Sequence, residues 1–379
     1  MTARAEAGAP DAAGALGAAA PGPAVAPGPA VAPGRAAAPP VAVLIATPLE
    51  AEHVSRIAAA DGRISVIYEP DLLPVPRYAA DHTGKPRNLS AAGLARWSQL
   101  RSRADVSFDF DWQAPGEMAA NCPRLRWVQG TSAGLGGFLE RTGLAGTPLV
   151  ITTAAGVHGV PLAEFTMLGL LYFTKDVPML RRWQHGRRWE RHHTRQLAGT
   201  RALLIGLGGI GREVARLLAS AGVEVLGAGR TGRSCDVPGV ASYVADTEID
   251  AVLPAADSLV LACPLTERTR HLIGARQLGL LPRGAIVVNV SRGPVIDEQA
   301  LAASLRSGHL GGACLDVFQT EPLPGDSPLW ALDNVLVSPH SASTVEAENR
   351  LITELFIDNL RRWLAGAPLR NVYDRAVGY

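Results

Sequence analysis

Cysteine is scarce in this chain: four residues in 379, at positions 122, 235, 263 and 314, with no CxxC pair and no metal-ligand spacing. That excludes a disulfide framework as the source of stability, and the four read as free buried thiols in a reducing cytoplasm. Net charge is nearly absent too. Thirty-six Lys and Arg against 35 Asp and Glu leave +1, so no global field favours nucleic acid or an anionic membrane surface. No uninterrupted apolar run is long enough to span a bilayer. Repeated Pro breaks up any apolar run near the start, and Glu6 and Asp11 speak against an organellar presequence. The expectation is a cytoplasmic protein that binds no metal, no nucleic acid and no membrane.

What is present is ample material for two cores: 379 residues, 47% hydrophobic and 19% charged. Residues 1–40 differ, being almost entirely Ala, Pro, Gly and Val without hydrophobic periodicity, and read as a disordered tail. From Val41 onward short apolar runs alternate with helix-period segments. Strands are expected at 41–46, 64–68 and 125–130, with helices at 48–60 and 89–104. An apolar helical stretch follows over 161–183, which Pro178 kinks or splits. A second series begins at Ala202, with strands at 202–206, 223–228, 258–263, 285–290, 312–317 and 335–340. The last stretch, 348–366, is amphipathic with Leu351, Leu355 and Trp363 near one face, and is expected to pack back on the first domain. Alternation of this kind predicts an α/β protein of two doubly wound parallel-sheet domains.

The loop GLGGIG at 206–211 places Gly206, Gly208 and Gly211 in a G-x-G-x-x-G pattern, with Gly209 and Ile210 between them. Among 40 glycines that pattern alone is weak. Here an apolar strand runs into it and a helix pattern (Val214, Leu217, Leu218) runs out, the setting a bound pyrophosphate needs. NAD enzymes carry an acid near the end of the next strand for the ribose hydroxyls. This strand instead ends in Gly229 and Arg230, with Arg233 close behind. A guanidinium there pairs with a 2′-phosphate, so NADP is expected ahead of NAD.

Three further residues sit just beyond expected strands: Arg292 in NVSRGPVID, Glu321 in DVFQTEPLP and His340 in SPHSAS. A cation to grip a carboxylate, an acid to protonate an alkoxide and a carboxylate to orient that acid are what keto acid reduction requires. With NVSRGPVIDEQAL, GACLDVFQTEPLP and SPLWALDNVLVSPH in this order, the chain resembles the D-isomer-specific 2-hydroxyacid dehydrogenases, from Val41 to the C-terminus and most densely from Gly206 to His340. The glyoxylate/hydroxypyruvate reductases and the catalytic part of phosphoglycerate dehydrogenase belong to that family. The resemblance implies Arg292 as carboxylate anchor, His340 as general acid/base and Glu321 as the partner that raises the His340 pKa. It also implies that Asp316 and the carbonyl side of Val290 hold the nicotinamide carboxamide and that Pro264 lies beside the cofactor. Ser132, Ala133 and Gly134 would offer backbone N–H groups to the substrate carboxylate.

On this reading residues 41–150 and 345–379 form a flavodoxin-like substrate domain, and 151–344 a Rossmann domain binding NAD(P), with the active site in the cleft. The partner is a small 2-keto or 2-hydroxy acid. The family's habit implies a homodimer, with segment 161–183 as its interface. Leu135 and Gly136 stand where the family often carries an acid or amide. His158 reads as a structural histidine, and the Arg- and His-rich segment 181–195 as a solvated face. A competing reading is a dinucleotide-sensing interaction protein of the corepressor kind, which resembles this family in fold. The full set of Arg292, Glu321 and His340 favours the enzyme.

Overall fold

A computed structural model describes residues 40–230 and 236–378. Residues 1–39 of the expected tail, and Arg233, lie outside the described residues. In chain order the first half comprises β1 (Val41–Ile45), α1 (Ala51–Ala58), β2 (Ile64–Ile67), α2 (Ala91–Arg101), β3 (Val106–Phe108), α3 (Met118–Asn121), β4 (Trp127–Gln129), α4 (Gly136–Arg141) and β5 (Val150–Thr152). Two helices, α5 (Gly159–Thr174) and α6 (Val177–His185), lead to β6 (Arg201–Ile205), α7 (Gly209–Ser220), β7 (Glu224–Gly229) and β8 (Val240–Ala245). The chain ends through α8 (Ile249–Val252), β9 (Ser258–Leu261), α9 (Ala275–Leu280), β10 (Ile286–Asn289), α10 (Glu298–Arg306), β11 (Gly312–Leu315), β12 (Val335–Val337) and α11 (Glu348–Ala365).

The strands form two sheets, ordered β2-β1-β3-β4-β5 and β12-β11-β10-β9-β6-β7-β8. Every pairing is parallel, in keeping with the expected fold class. β9, β10 and β11 are buried at every residue, as strands covered by helices on both faces must be. Each sheet has one place where strand order reverses, between β1 and β3 in the first and between β6 and β9 in the second. Open parallel sheets leave a crevice at the carboxyl ends of such strands.

Three strands were not legible in the sequence. β3 and β5 are three residues long, as short as the expected β4 and β12, and so short a run gives periodicity little to fix on. β8 is an edge strand with only Ala245 fully buried, so its pattern is diluted by polar and half-exposed positions. Pro178 does divide the long apolar segment. Asp176 takes a left-handed φ of 50°, its side chain caps Met179 N–H at 3.4 Å, and Pro178 falls in the first turn of α6, where its missing N–H costs nothing.

The amphipathic face expected on α11 needs correction. Its buried ridge is Ile352, Phe356 and Leu360 with Asn349, Thr353 and Asn359, whereas Leu351, Leu355 and Trp363 are only half-buried. That ridge packs on Val43, Ile45, Phe108 and Trp127 of the first sheet, with the Phe356 ring 5.1 Å from Phe108 and 5.2 Å from Trp127. Burial of each such side chain contributes about 1.5–3 kcal/mol.

Candidate active site

The glycine loop leaves β6 at the reversal point of the second sheet. Gly206 has φ 99°, and a Cβ there would collide with the backbone of Ala262 and Cys263. A Cβ on Gly211 would overlap the Gly206 carbonyl. These two glycines therefore permit the turn and the close seating of α7. Gly208 differs, because a Cβ there meets nothing within 4 Å. No side chain caps α7, so its first N–H groups have no side-chain partner at the positive end of the helix. An open cradle of uncapped amides fits the pyrophosphate of a dinucleotide. Gly209 backs onto Gly156, on the segment joining the two sheets. Pro264 is exposed just past β9, and Val290 is buried just past β10. β7 ends in Gly229 and is followed by a half-buried Arg230, with no acid between 225 and 230. The Arg230 carbonyl accepts a 2.6 Å bond from Tyr243 Oη.

Arg292, Glu321 and His340 come together from three loops at the carboxyl edge of the same sheet. Glu321 Oε2 lies 2.7 Å from His340 Nδ1, and Oε1 accepts from Phe318 N–H at 2.9 Å. Burial pushes the Glu321 carboxyl up, but the bonds from His340 and Phe318 and the charges of His340 and Arg292 outweigh it and hold it below the usual range. His340 adopts φ 55°, a left-handed conformation rare in a residue with a Cβ. The ring's Nδ1 is taken up by Glu321, so Nε2 is the atom left to exchange a proton.

Arg292 reaches across to the first sheet's loop. Its Nη2 donates to the Gly134 carbonyl at 3.1 Å and its Nη1 to the Ser291 carbonyl at 2.7 Å. A side chain at Gly134 would overlap the guanidinium. Burial pushes the Arg292 pKa below its usual value, against the opposing charges of Glu321 and Asp316. A desolvated cation with two carbonyl partners can gain much from an incoming carboxylate. Ser132 and Ala133 precede Gly134 in the same loop, exposed and half-buried respectively.

Two supporting residues carried less signal in the sequence than they carry in the structure. Asn289, fully buried, accepts from Ser291 N–H at 3.0 Å and Ser291 Oγ at 2.7 Å, and donates to the Arg292 carbonyl at 3.3 Å. Buried Asp316 accepts at Oδ1 from Ser338 Oγ at 2.6 Å and from the N–H groups of Ser341 and Ala342 at 2.9 Å. It thus clamps the loop that bears His340, a duty that the spacing of 316 and 340 does not reveal. His158 is buried at the start of α5, with Nε2 3.2 Å from Glu348 Oε1. Among the described residues no cluster of three or more His, Cys, Asp or Glu side chains is arranged to hold a metal, and no helix is long and apolar enough to cross a membrane.

Residues 167–342 match the sequence model of the D-isomer specific 2-hydroxyacid dehydrogenase NAD binding domain. The chain is 32% identical over 285 residues to the (S)-sulfolactate dehydrogenase of Chromohalobacter salexigens, covering 74% of this chain and 88% of that protein. A D-isomer specific 2-hydroxyacid dehydrogenase from Xanthobacter autotrophicus, solved with NADPH and MES, superposes with a TM-score of 0.72 at 33% identity, covering 90% of this chain and all of that one. The NADPH-dependent glyoxylate/hydroxypyruvate reductase of Sinorhizobium meliloti, solved with NADP and sulfate, gives 0.71 at 26% identity, covering 89% and 100%.

Proposed function

The chain belongs to the D-isomer specific 2-hydroxyacid dehydrogenase family, and from that premise we propose that it is a reductase of the glyoxylate and hydroxypyruvate class that prefers NADP. It is an NAD(P)-dependent oxidoreductase acting on 2-hydroxyacids. The finer reading rests above all on the Glu321–His340 pair at 2.7 Å beside a guanidinium that bridges to Gly134.

The bound nicotinamide supplies the hydride that C2 receives. Arg292, with the N–H groups of Ser132, Ala133 and Gly134, holds the substrate carboxylate and fixes C2 in place. His340 Nε2 gives its proton to the keto oxygen as that oxygen gains charge, and takes it back in the oxidative direction. Glu321, held ionised, accepts from Nδ1 and keeps the ring turned towards the cleft. Asp316 keeps the His340 loop in place and, with the Val290 carbonyl, meets the carboxamide. Gly206, Gly208, Gly209, Ile210 and Gly211 take the pyrophosphate. Arg230 and Arg233 take the 2′-phosphate, supported by the missing acid after β7 and by the NADP(H) held by the Xanthobacter and Sinorhizobium proteins.

In this reading 41–150 with 345–379 serve the substrate and 151–344 the cofactor, and water leaves as the cleft closes. A homodimer through α5 and α6 is part of the proposal, because Val160, Leu168, Leu171 and Leu180 stand exposed there. So is a cytoplasmic site, in keeping with free, buried Cys122, Cys263 and Cys314. The test is loss of NADPH and of NADH absorbance with glyoxylate, hydroxypyruvate and pyruvate. Turnover faster with NADPH on the first two supports the reading, and tight NADPH binding without turnover of any keto acid overturns it.

A further inference from the structure

The reversal point of the first sheet holds polar residues that the reaction itself does not use. Thr47 follows β1, Asp109 follows β3 and Thr131 follows β4, so the three stand in a row at the carboxyl ends of neighbouring strands. Thr131 Oγ1 donates to Asp109 Oδ2 at 3.1 Å. Thr47 Oγ1 lies 3.2 Å from His82 Nδ1 and donates to the His82 carbonyl at 3.2 Å. His82 is close enough for its charge to act on Asp109, and its Nε2 is buried without a hydrogen-bond partner. Burial pushes the Asp109 carboxyl up against the charge of His82 and the bonds it accepts from Phe110 N–H and from the N–H and hydroxyl of Thr131, and the residue is only partly buried.

The chain goes to some trouble to build this row. Asp109 has φ 70°, held by a 2.7 Å bond from buried Ser107 Oγ to its carbonyl. His82 arrives on the segment 68–90 between β2 and α2, longer than the ~12–15 residues beyond which connections are usually functional or unstructured. That segment is braced internally. Val75 and Lys85 exchange backbone bonds at 2.9 and 2.8 Å. Buried Asp81 accepts from Arg77 Nε at 2.7 Å and Gly84 N–H at 2.9 Å. Strained backbone that its surroundings over-determine collects at ligand sites. Thr131 is three residues before Gly134, at most ~11 Å along an extended chain, so the Thr131 end of the row lies near the carbonyl that Arg292 holds.

We propose that Thr47, His82, Asp109 and Thr131 form the pocket that recognises a neutral hydroxyl on C3 of the keto acid. A hydroxyl donates and accepts at once, which suits a carboxyl acceptor beside an imidazole with an unmet nitrogen. A carboxylate or sulfonate at C3 faces Asp109 and is disfavoured, and an alkyl group leaves the row unpaired. This inference rests on the reductase reading above.

The experiment compares kcat/KM for hydroxypyruvate, 2-ketobutyrate (a methyl in place of the hydroxyl), oxaloacetate (a carboxylate at C3) and glyoxylate, which has no C3. The native protein is expected to favour hydroxypyruvate over 2-ketobutyrate by at least ~100-fold, because a site built to bond a hydroxyl rejects its apolar isostere strongly. Asp109→Leu and His82→Leu should each cut the hydroxypyruvate/glyoxylate ratio by about tenfold or more, and Asp109→Asn should restore much of it. A parallel fall for all four acids, or an unchanged ratio in both Leu variants, overturns the pocket and leaves the reductase reading standing. Native protein that turns over none of the four overturns both. Melting shifts with D-glycerate against D-2-hydroxybutyrate give a second measure without turnover. A larger shift with D-glycerate, lost in Asp109→Leu, is expected, and equal shifts count against the pocket.

Discussion

Two sheet edges, bridged by the hydrogen bond from Arg292 to the Gly134 carbonyl, are built in different ways. The seven-stranded sheet presents compact runs of chain, with 206–211, 289–292 and 338–342 each contributing several neighbouring groups. The five-stranded sheet presents one short run, 131–134, and beside it single residues, Thr47, His82 and Asp109, drawn from three separate segments. The contrast follows from what each edge would contact on the readings proposed above. Backbone amides and tight turns need a run of consecutive residues to set their angles, so they leave a motif. A side-chain pocket needs only one residue per strand end, so it leaves none.

The sharpest break in the comparison is His340→Ala, which removes the proposed proton donor of the motif-rich edge. Turnover should fall by about 10²–10⁴-fold with little change in KM, and near-native steady-state rates would contradict its role. Arg292→Ala comes next. It leaves the chemistry but loses a desolvated cation, and kcat/KM should fall by about 10²–10³-fold, carried mainly by KM. Arg230→Asp should move the NADPH/NADH preference by about 10–100-fold towards NADH, the worth of one or two charge-assisted bonds; competition assays with both nucleotides decide it.

The glycine loop sharpens the comparison within one motif. Gly211→Ala drives a Cβ into the Gly206 carbonyl and should lower the melting temperature by several degrees. Gly208→Ala points into open space, so stability should hold while NADPH affinity drops by about tenfold. Equal effects from the two would show that Gly208 is merely structural.

The smallest effect concerns pH. Glu321 titrates below its usual range in the folded protein, so its link to His340 adds stability above the unfolded carboxyl pKa, ~4.3, and loses it as pH falls through the lower folded value. Both side chains are more than a third solvent-exposed, at 44% and 35%, which limits the contribution to under ~1 kcal/mol. Glu321→Gln should therefore flatten the stability profile only on its acid limb, as read by denaturant melts between pH 3 and 6.

Much of the second half was legible because strands buried on both faces spell continuous apolar runs, and because Gly206 and Gly211 answer to steric demands that no other residue meets. The first half was less so. Three-residue strands such as β3 and β5 give no period to read, and the residue beyond each looks like any loop residue. Asp316 shows a third case. Its place after β11 was visible, whereas its grip on Ser338, Ser341 and Ala342 depends on β12 lying beside β11.

By itself the sequence determined the alternation of strand and helix, the turn that opens α7, and which ionisable residues end their strands. These are local matters of steric allowance and periodicity, settled within a few residues. Only tertiary structure decided that Glu321 meets His340, that Arg292 crosses to Gly134, that α11 turns Ile352, Phe356 and Leu360 onto the first sheet, and that His82 reaches Thr47. Each of those joins segments far apart in the chain. Distances between such segments are set by strand order and by which helix face a twisted sheet accepts, and neither is written in any single stretch of residues.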